Sequence, residues 1–175
     1  MSEGVTHKHA RKRASIGVAF FAVIGALGIM WMRPLSTLIP DLIFYGVLLV
    51  NTYYSVECFA LLAPKHYTQN IADAALVVSY CLAGLYLGDP LAFPFFIFLV
   101  FLIAPFKYVL MLSVSGHIVF LRKKILIDLA GTAATFAALF LALAGFPVYA
   151  AWGIALGFAA ANVYLLYVKP MYRVA

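Results

Sequence analysis

Glu57 stands in an otherwise apolar stretch, residues 42–62, that is long enough to cross a bilayer. A carboxylate at the centre of such a helix costs roughly 2.5–3.5 kcal/mol on insertion scales, so it requires a partner, a proton or a water-filled cavity. Tyr53 and Tyr54 precede Glu57 by four and three residues and share its helix face. Lys107 interrupts a second apolar stretch, and Asp128 and Asn162 interrupt two more. Tyr53, Tyr54, Glu57, Lys107, Asp128 and Asn162 are therefore the residues expected to line a polar cavity. In such a layer Glu57 would contact a proton or cation, and Lys107 would be its counter-charge or an anion contact. The same groups are equally suited to an interhelical hydrogen-bond cluster that only holds a bundle together.

Depth makes Lys107 the expected partner of Glu57. Glu57 lies 16 positions after Asp41 and Lys107 lies 18 positions after Asp89. At 1.5 Å rise per residue these are ~24 and ~27 Å from the same membrane face. Pro105, just before Lys107, lacks an amide and frees a carbonyl one turn earlier, which a kink would open toward a cavity. The other acids have simpler explanations. Glu3 belongs to a solvated segment. Asp41, Asp73, Asp89 and Asp128 lie near the expected starts of helices, where a carboxylate meets free amides and the positive end of the dipole.

These residues must be positioned by membrane helices. The chain has 175 residues, 66% hydrophobic and 10% charged. Soluble domains are nearer ~45–50% apolar and ~25% charged, so lipid must solvate much of this surface. Six apolar segments, at about 15–32, 40–63, 71–87, 91–112, 125–145 and 148–168, each approach the ~20 residues a crossing needs. The expected fold is all-α: a polytopic integral membrane protein with six transmembrane helices in a compact bundle with short loops. A basic arm, 1–14, precedes the bundle and a short basic tail, 169–175, follows it. Span one is expected to be retained, because no clear signal-peptidase site precedes Arg33.

The breaks carry turn chemistry. Arg33-Pro34 and Pro64-Lys65-His66 end the first two spans. Gly88-Asp89-Pro90 offers Asp89 as an N-cap and Pro90 as the first helical residue. Arg122-Lys123-Lys124 and Gly145-Phe146-Pro147 make the remaining breaks.

Charge distribution sets the expected orientation. Lys8, Arg11, Lys12, Arg13, Lys65, Arg122, Lys123, Lys124, Lys169 and Arg173 all fall on one side of a six-span alternation, whereas Arg33 falls on the other. By the positive-inside rule both termini face the cytoplasm of a cell's inner or plasma membrane. The formal charge of +6 is thus topogenic, and nucleic acid is not an expected partner. Trp31, Trp152, Tyr67 and Tyr172 fall at the two expected interfaces.

Small residues recur four apart in span five (Ala130, Ala134, Ala138, Ala142) and in span six (Gly153, Gly157, Ala161), with Ala22 and Ala26 in span one. Such stripes let backbones approach, within the bundle or between copies. Span four carries Phe93, Phe95, Phe96, Phe98 and Phe101 on all sides, so part of it is expected to face lipid or a partner protein. The stripes and span four are the candidate contacts of a homo-oligomer or larger membrane complex.

Several chemistries lack their signatures. There is no phosphate loop, zinc HExxH motif or TVGYG filter. Ser115 and His117 point roughly 200° apart on a helix, so they make no dyad. His66 and His117 lie at the expected inner edge and do not suit a haem between helices, and no metal or other cofactor is expected. Cys58 and Cys81 fall inside spans and give neither disulfide nor metal spacing. Three functions remain, in order: a small transporter or channel component moving a proton, ion or small solute; a non-catalytic subunit of a larger complex; and an enzyme acting on lipid head groups through Glu57, Lys107 and His117.

Overall fold

A computed structural model describes residues 3–30, 34–62, 67–112, 118–169 and 171. Six α-helices run α1 Glu3–Ile29, α2 Leu35–Leu62, α3 Tyr67–Leu85, α4 Ala92–Leu112, α5 Ile118–Leu143 and α6 Pro147–Val163, with a π-helical turn Tyr164–Val168 extending α6. Regular structure among the described residues is entirely helical. Five helices are long and apolar enough to cross a bilayer. The protein is thus an all-α membrane protein. The exception is α3, whose first two turns carry Thr68, Gln69, Asn70 and Asp73.

The helices alternate in direction and close into a ring. Around it the order is α1, α2, α6, α5, α4, α3 and back to α1. All segment starts and ends rich in Lys and Arg therefore share one end of the ring, here termed the basic end: Lys8, Arg11, Lys12 and Arg13 of α1, Arg122, Lys123 and Lys124 of α5, and Lys169 after α6. Residues 3–14 continue α1 as helix.

At the opposite end the turns are tightly held. Gly88 adopts φ 81° and Gly145 φ 93°, a backbone region that favours glycine. Asp41 accepts the Gly88 amide at 3.0 Å while the Thr37 hydroxyl donates to the Gly88 carbonyl at 2.8 Å. Asp89 accepts the Leu91 and Ala92 amides at 3.1 and 2.9 Å, which caps α4 as its position suggests.

The larger of two core clusters among the described residues fills this half of the ring, and a smaller one, Phe59, Tyr108, Met111 and Leu121, lies toward the basic end. Phe44 stacks on Phe158 at 4.4 Å between centroids and meets Phe93 and Phe101 edge-on, at 6.0 and 6.4 Å. Leu48, Ile97 and Leu87 pack around them. These rings, from α2, α4 and α6, plug the middle of the ring. Phe93 and Phe101 thus turn inward from α4, whereas Phe95 is exposed.

Three aspartates depart from the sequence expectation. Because α2, α3 and α5 begin before their apolar spans, Asp41, Asp73 and Asp128 lie beyond the first turn of their helices. They contact neighbouring groups instead of capping their own helices. The small-residue stripes pack within the bundle only in part. Ala22 and Ala26 are exposed, and α1 instead presents Gly25 and Gly28 to its neighbours. A Cβ on Gly28 would stand 2.0 Å from the Gly84 carbonyl oxygen, so α1 and α3 meet backbone to backbone there. In α5 and α6, Ala138 and Ala142 are buried, but Gly153 and Gly157 have nothing within 4 Å of a built Cβ.

Candidate functional site

The charged pairs are arranged differently from the depth argument. Arg11 donates to Glu57 at 2.6 Å, and Lys107 lies 2.5 Å from Asp73. The ring order explains both. Glu57 sits two residues from Ser55, or roughly 200° around the helix. Ser55 faces α4, where its hydroxyl lies 3.3 Å from that of Tyr108, so Glu57 turns toward α1. Lys107 faces the adjacent α3. Equal depth was not sufficient for pairing. The Arg11 side chain is 69% exposed, so Glu57 is neutralised at the rim of the basic end and not in the interior. Tyr53 and Tyr54 stay with it, their rings edge-to-face at 5.5 Å, and Tyr54 is exposed.

The polar interior is built from other residues. A cavity of about 520 Å³ occupies the basic half of the ring below the phenylalanine plug. From α2 it takes Asn51, Thr52 and Ser55; from α3, Gln69 and Asp73; from α4, Lys107 and Tyr108; from α5, Lys124 and Asp128. Three of these pairs are four residues apart: Asn51 with Ser55, Gln69 with Asp73, Lys124 with Asp128. That spacing puts each pair on one helix face, and it is the signal in the sequence that points to this chamber. Glu57, Tyr53 and Tyr54 lie outside its wall.

Lys124 and Asp128 form the innermost charge pair, 2.6 Å apart with side chains only 5% and 3% exposed. The Lys124 ammonium also lies 5.6 Å from the centre of the Tyr108 ring. Across the chamber the Thr52 and Tyr80 hydroxyls are 2.7 Å apart. Two buried polar atoms have no hydrogen-bond partner among the described residues: Asp128 Oδ2, an acceptor, and Gln69 Nε2, a donor. Burying such a group unpaired costs about 1–3 kcal/mol, so both are complementary to a polar ligand.

The carbonyl freed by Pro105 does not open into this space. It belongs to Phe101, and the Thr132 hydroxyl of α5 takes it at 2.7 Å. Asn162, expected in the polar layer, lies elsewhere. Its amide donates to the Phe158 carbonyl at 2.9 Å, and it lines a second cavity, about 560 Å³, between α5 and α6. Asn51, Phe101, Lys124 and Asp128 border both cavities, so the two adjoin. His117, with the segment 113–117, lies outside the described residues, as do Trp31, Arg33, Lys65, His66, Tyr172 and Arg173.

Comparison with protein families, with characterised proteins and with solved structures finds no match to this chain.

Proposed function

We propose that the protein is a small membrane transport protein whose chamber at the basic end accepts a small polar solute that is not a cation. The observation that carries this reading is the pairing of an unpartnered buried acceptor, Asp128 Oδ2, with an unpartnered buried donor, Gln69 Nε2, in the wall of one cavity. Buried polar groups that the protein does not pair itself are satisfied by a molecule that enters the cavity, water or solute. The chamber wall carries Arg13, Lys107 and Lys124 against Asp73 and Asp128, a balance that disfavours a free cation. Lys107 is matched by Asp73 and Lys124 by Asp128, so neither lysine is left as an uncompensated anion site.

In this reading α3 is a sixth crossing, its polar first turns solvating the chamber where lipid does not reach. The clustering of Lys and Arg supports a cytoplasmic position for the basic end and both termini. The phenylalanine plug separates the chamber from the other face.

Uptake of radiolabelled glycerol into proteoliposomes tests the proposal, with proton and potassium fluxes followed in parallel. Glycerol entry should exceed that into protein-free vesicles and fall at least tenfold in Gln69→Leu, while ion fluxes stay at background. Glycerol entry no faster than in empty vesicles, or entry indifferent to Gln69→Leu, would overturn it.

A further inference from the structure

The chamber has a second, lateral extension, and its chemistry narrows what the chamber holds. The cavity between α5 and α6 is walled largely by small and apolar residues, with Ala134, Gly153 and Gly157 exposed along it. No heavy atom lies within 4 Å of a Cβ built on Gly153 or Gly157, so neither helix packs against the other there. An apolar cleft on the outside of a membrane bundle is filled by hydrocarbon. Its wall on α5 runs from Asp128 to Leu141, a rise of ~20 Å. One leaflet contributes about half of the ~30 Å hydrocarbon core, so the cleft is long enough for one acyl chain.

Bulk lipid would fill such a groove without selectivity if it ended in apolar side chains. It ends instead at Lys124 and Asp128, where it adjoins the polar chamber. Asp128 is 2% exposed and its Oδ2 has no partner. That oxygen requires a donor. Farther round the chamber wall Gln69, 4% exposed, offers an unpaired amide donor. A hydroxyl group can satisfy either, since it donates one hydrogen bond and accepts others. Both lysine–aspartate pairs are internally neutralised, and Arg13 is a further cation in the chamber wall.

We infer that the chamber and cleft together form one site for a lipid with a hydroxyl-bearing head group. The head lies in the chamber against Asp128 and Gln69, and one hydrocarbon tail lies between α5 and α6. This rests on the chamber being a substrate site, and it replaces a free solute with a tethered one.

The test compares binding of radiolabelled 1-monooleoylglycerol and methyl oleate to the full-length protein in detergent. The two share a tail and differ in the hydroxyls. Monooleoylglycerol should bind at least tenfold tighter. Gly157→Leu and Gly153→Leu, which fill the cleft without meeting a neighbour, should each remove most of that binding. Gly46→Leu, at an exposed site on α2 with equally open surroundings, serves as the control and should leave it intact. Equal binding of the two lipids, or binding unchanged by both cleft variants, overturns the inference. The glycerol uptake assay separates the two readings. Glycerol entry without selective lipid binding overturns the lipid inference and leaves the transport reading standing. Selective lipid binding without glycerol entry supports the lipid site and removes the free solute. Failure of both overturns both.

Discussion

The Thr132 hydroxyl of α5 donates to the Phe101 carbonyl of α4 at 2.7 Å, taking up the carbonyl that Pro105 leaves without an amide. The same hydroxyl lies 2.9 Å from the Asp128 carbonyl within its own helix. A proline inside a membrane helix is tolerated when a neighbouring Ser or Thr re-satisfies the freed group. Here that repair also joins two adjacent members of the ring, at the level where chamber and plug meet.

Replacing Thr132 with Val should therefore destabilise the bundle by about 1–2 kcal/mol, because a buried carbonyl loses its donor. Pro105→Ala restores an amide to the Phe101 carbonyl from within α4. In the Pro105→Ala background the cost of Thr132→Val should fall by at least half. Unfolding in mixed micelles, followed as a double-mutant cycle, measures the coupling. Equal costs in the two backgrounds would mean that the contact carries no energy.

The two well-separated charge pairs at the basic end should respond very differently to neutralisation. Arg11 and Glu57 pair at an exposed rim, where solvent screens the attraction and such pairs contribute little to stability. Glu57→Gln should accordingly be nearly silent in stability. Lys124 and Asp128 are both buried. Lys124→Met leaves a carboxylate without its cation and should cost about 3–5 kcal/mol. Lys124→Met with Asp128→Asn should recover much of that loss, since no charge then remains buried. Apparent unfolding free energies of the three variants, set against the wild type, decide the ordering, and a Glu57→Gln cost matching that of Lys124→Met would contradict it.

Helix number, the turns at Gly88 and Gly145 and the clustering of basic residues were legible because each depends on local chemistry, whereas Arg122-Lys123-Lys124, expected as a break, lies inside α5. Gly88-Asp89-Pro90 and Gly145-Phe146-Pro147 announce turns by residue type alone, and both glycines adopt the positive φ such turns need. The charge partners were not legible. Depth along a helix follows from counting residues, but which helix stands beside which is a tertiary matter. Glu57 and Lys107 lie at similar depth on helices that are not neighbours in the ring. The aspartates misled for a related reason. Apolar spans mark hydrocarbon, whereas α2, α3 and α5 extend beyond it, so Asp41, Asp73 and Asp128 moved from helix starts to interior turns. The chamber itself was half visible. Lys107 and Asp128 were identified singly, while the four-residue spacing of Gln69 with Asp73 and of Lys124 with Asp128 held the stronger signal.

Small residues provide the sharpest contrast between spacing and structure. Gly28 and Gly157 are both glycines in apolar helices, and Gly157 belongs to the more regular stripe. Yet a Cβ at Gly28 would collide with the Gly84 backbone at 2.0 Å, whereas one at Gly157 meets nothing within 4 Å. Backbone cannot swing aside as a side chain can, so Gly28→Ala must push α1 away from α3. It should cost about 1–3 kcal/mol, the range of overpacked cores. Gly157→Ala should be neutral or slightly stabilising, because alanine is the better helix former by about 0.8–1 kcal/mol. Thermal unfolding of the two variants in detergent, side by side with the wild type, reads the difference. A destabilised Gly157→Ala beside an unaffected Gly28→Ala would mean that α5 and α6 are the helices in close contact, and would remove the cleft between them.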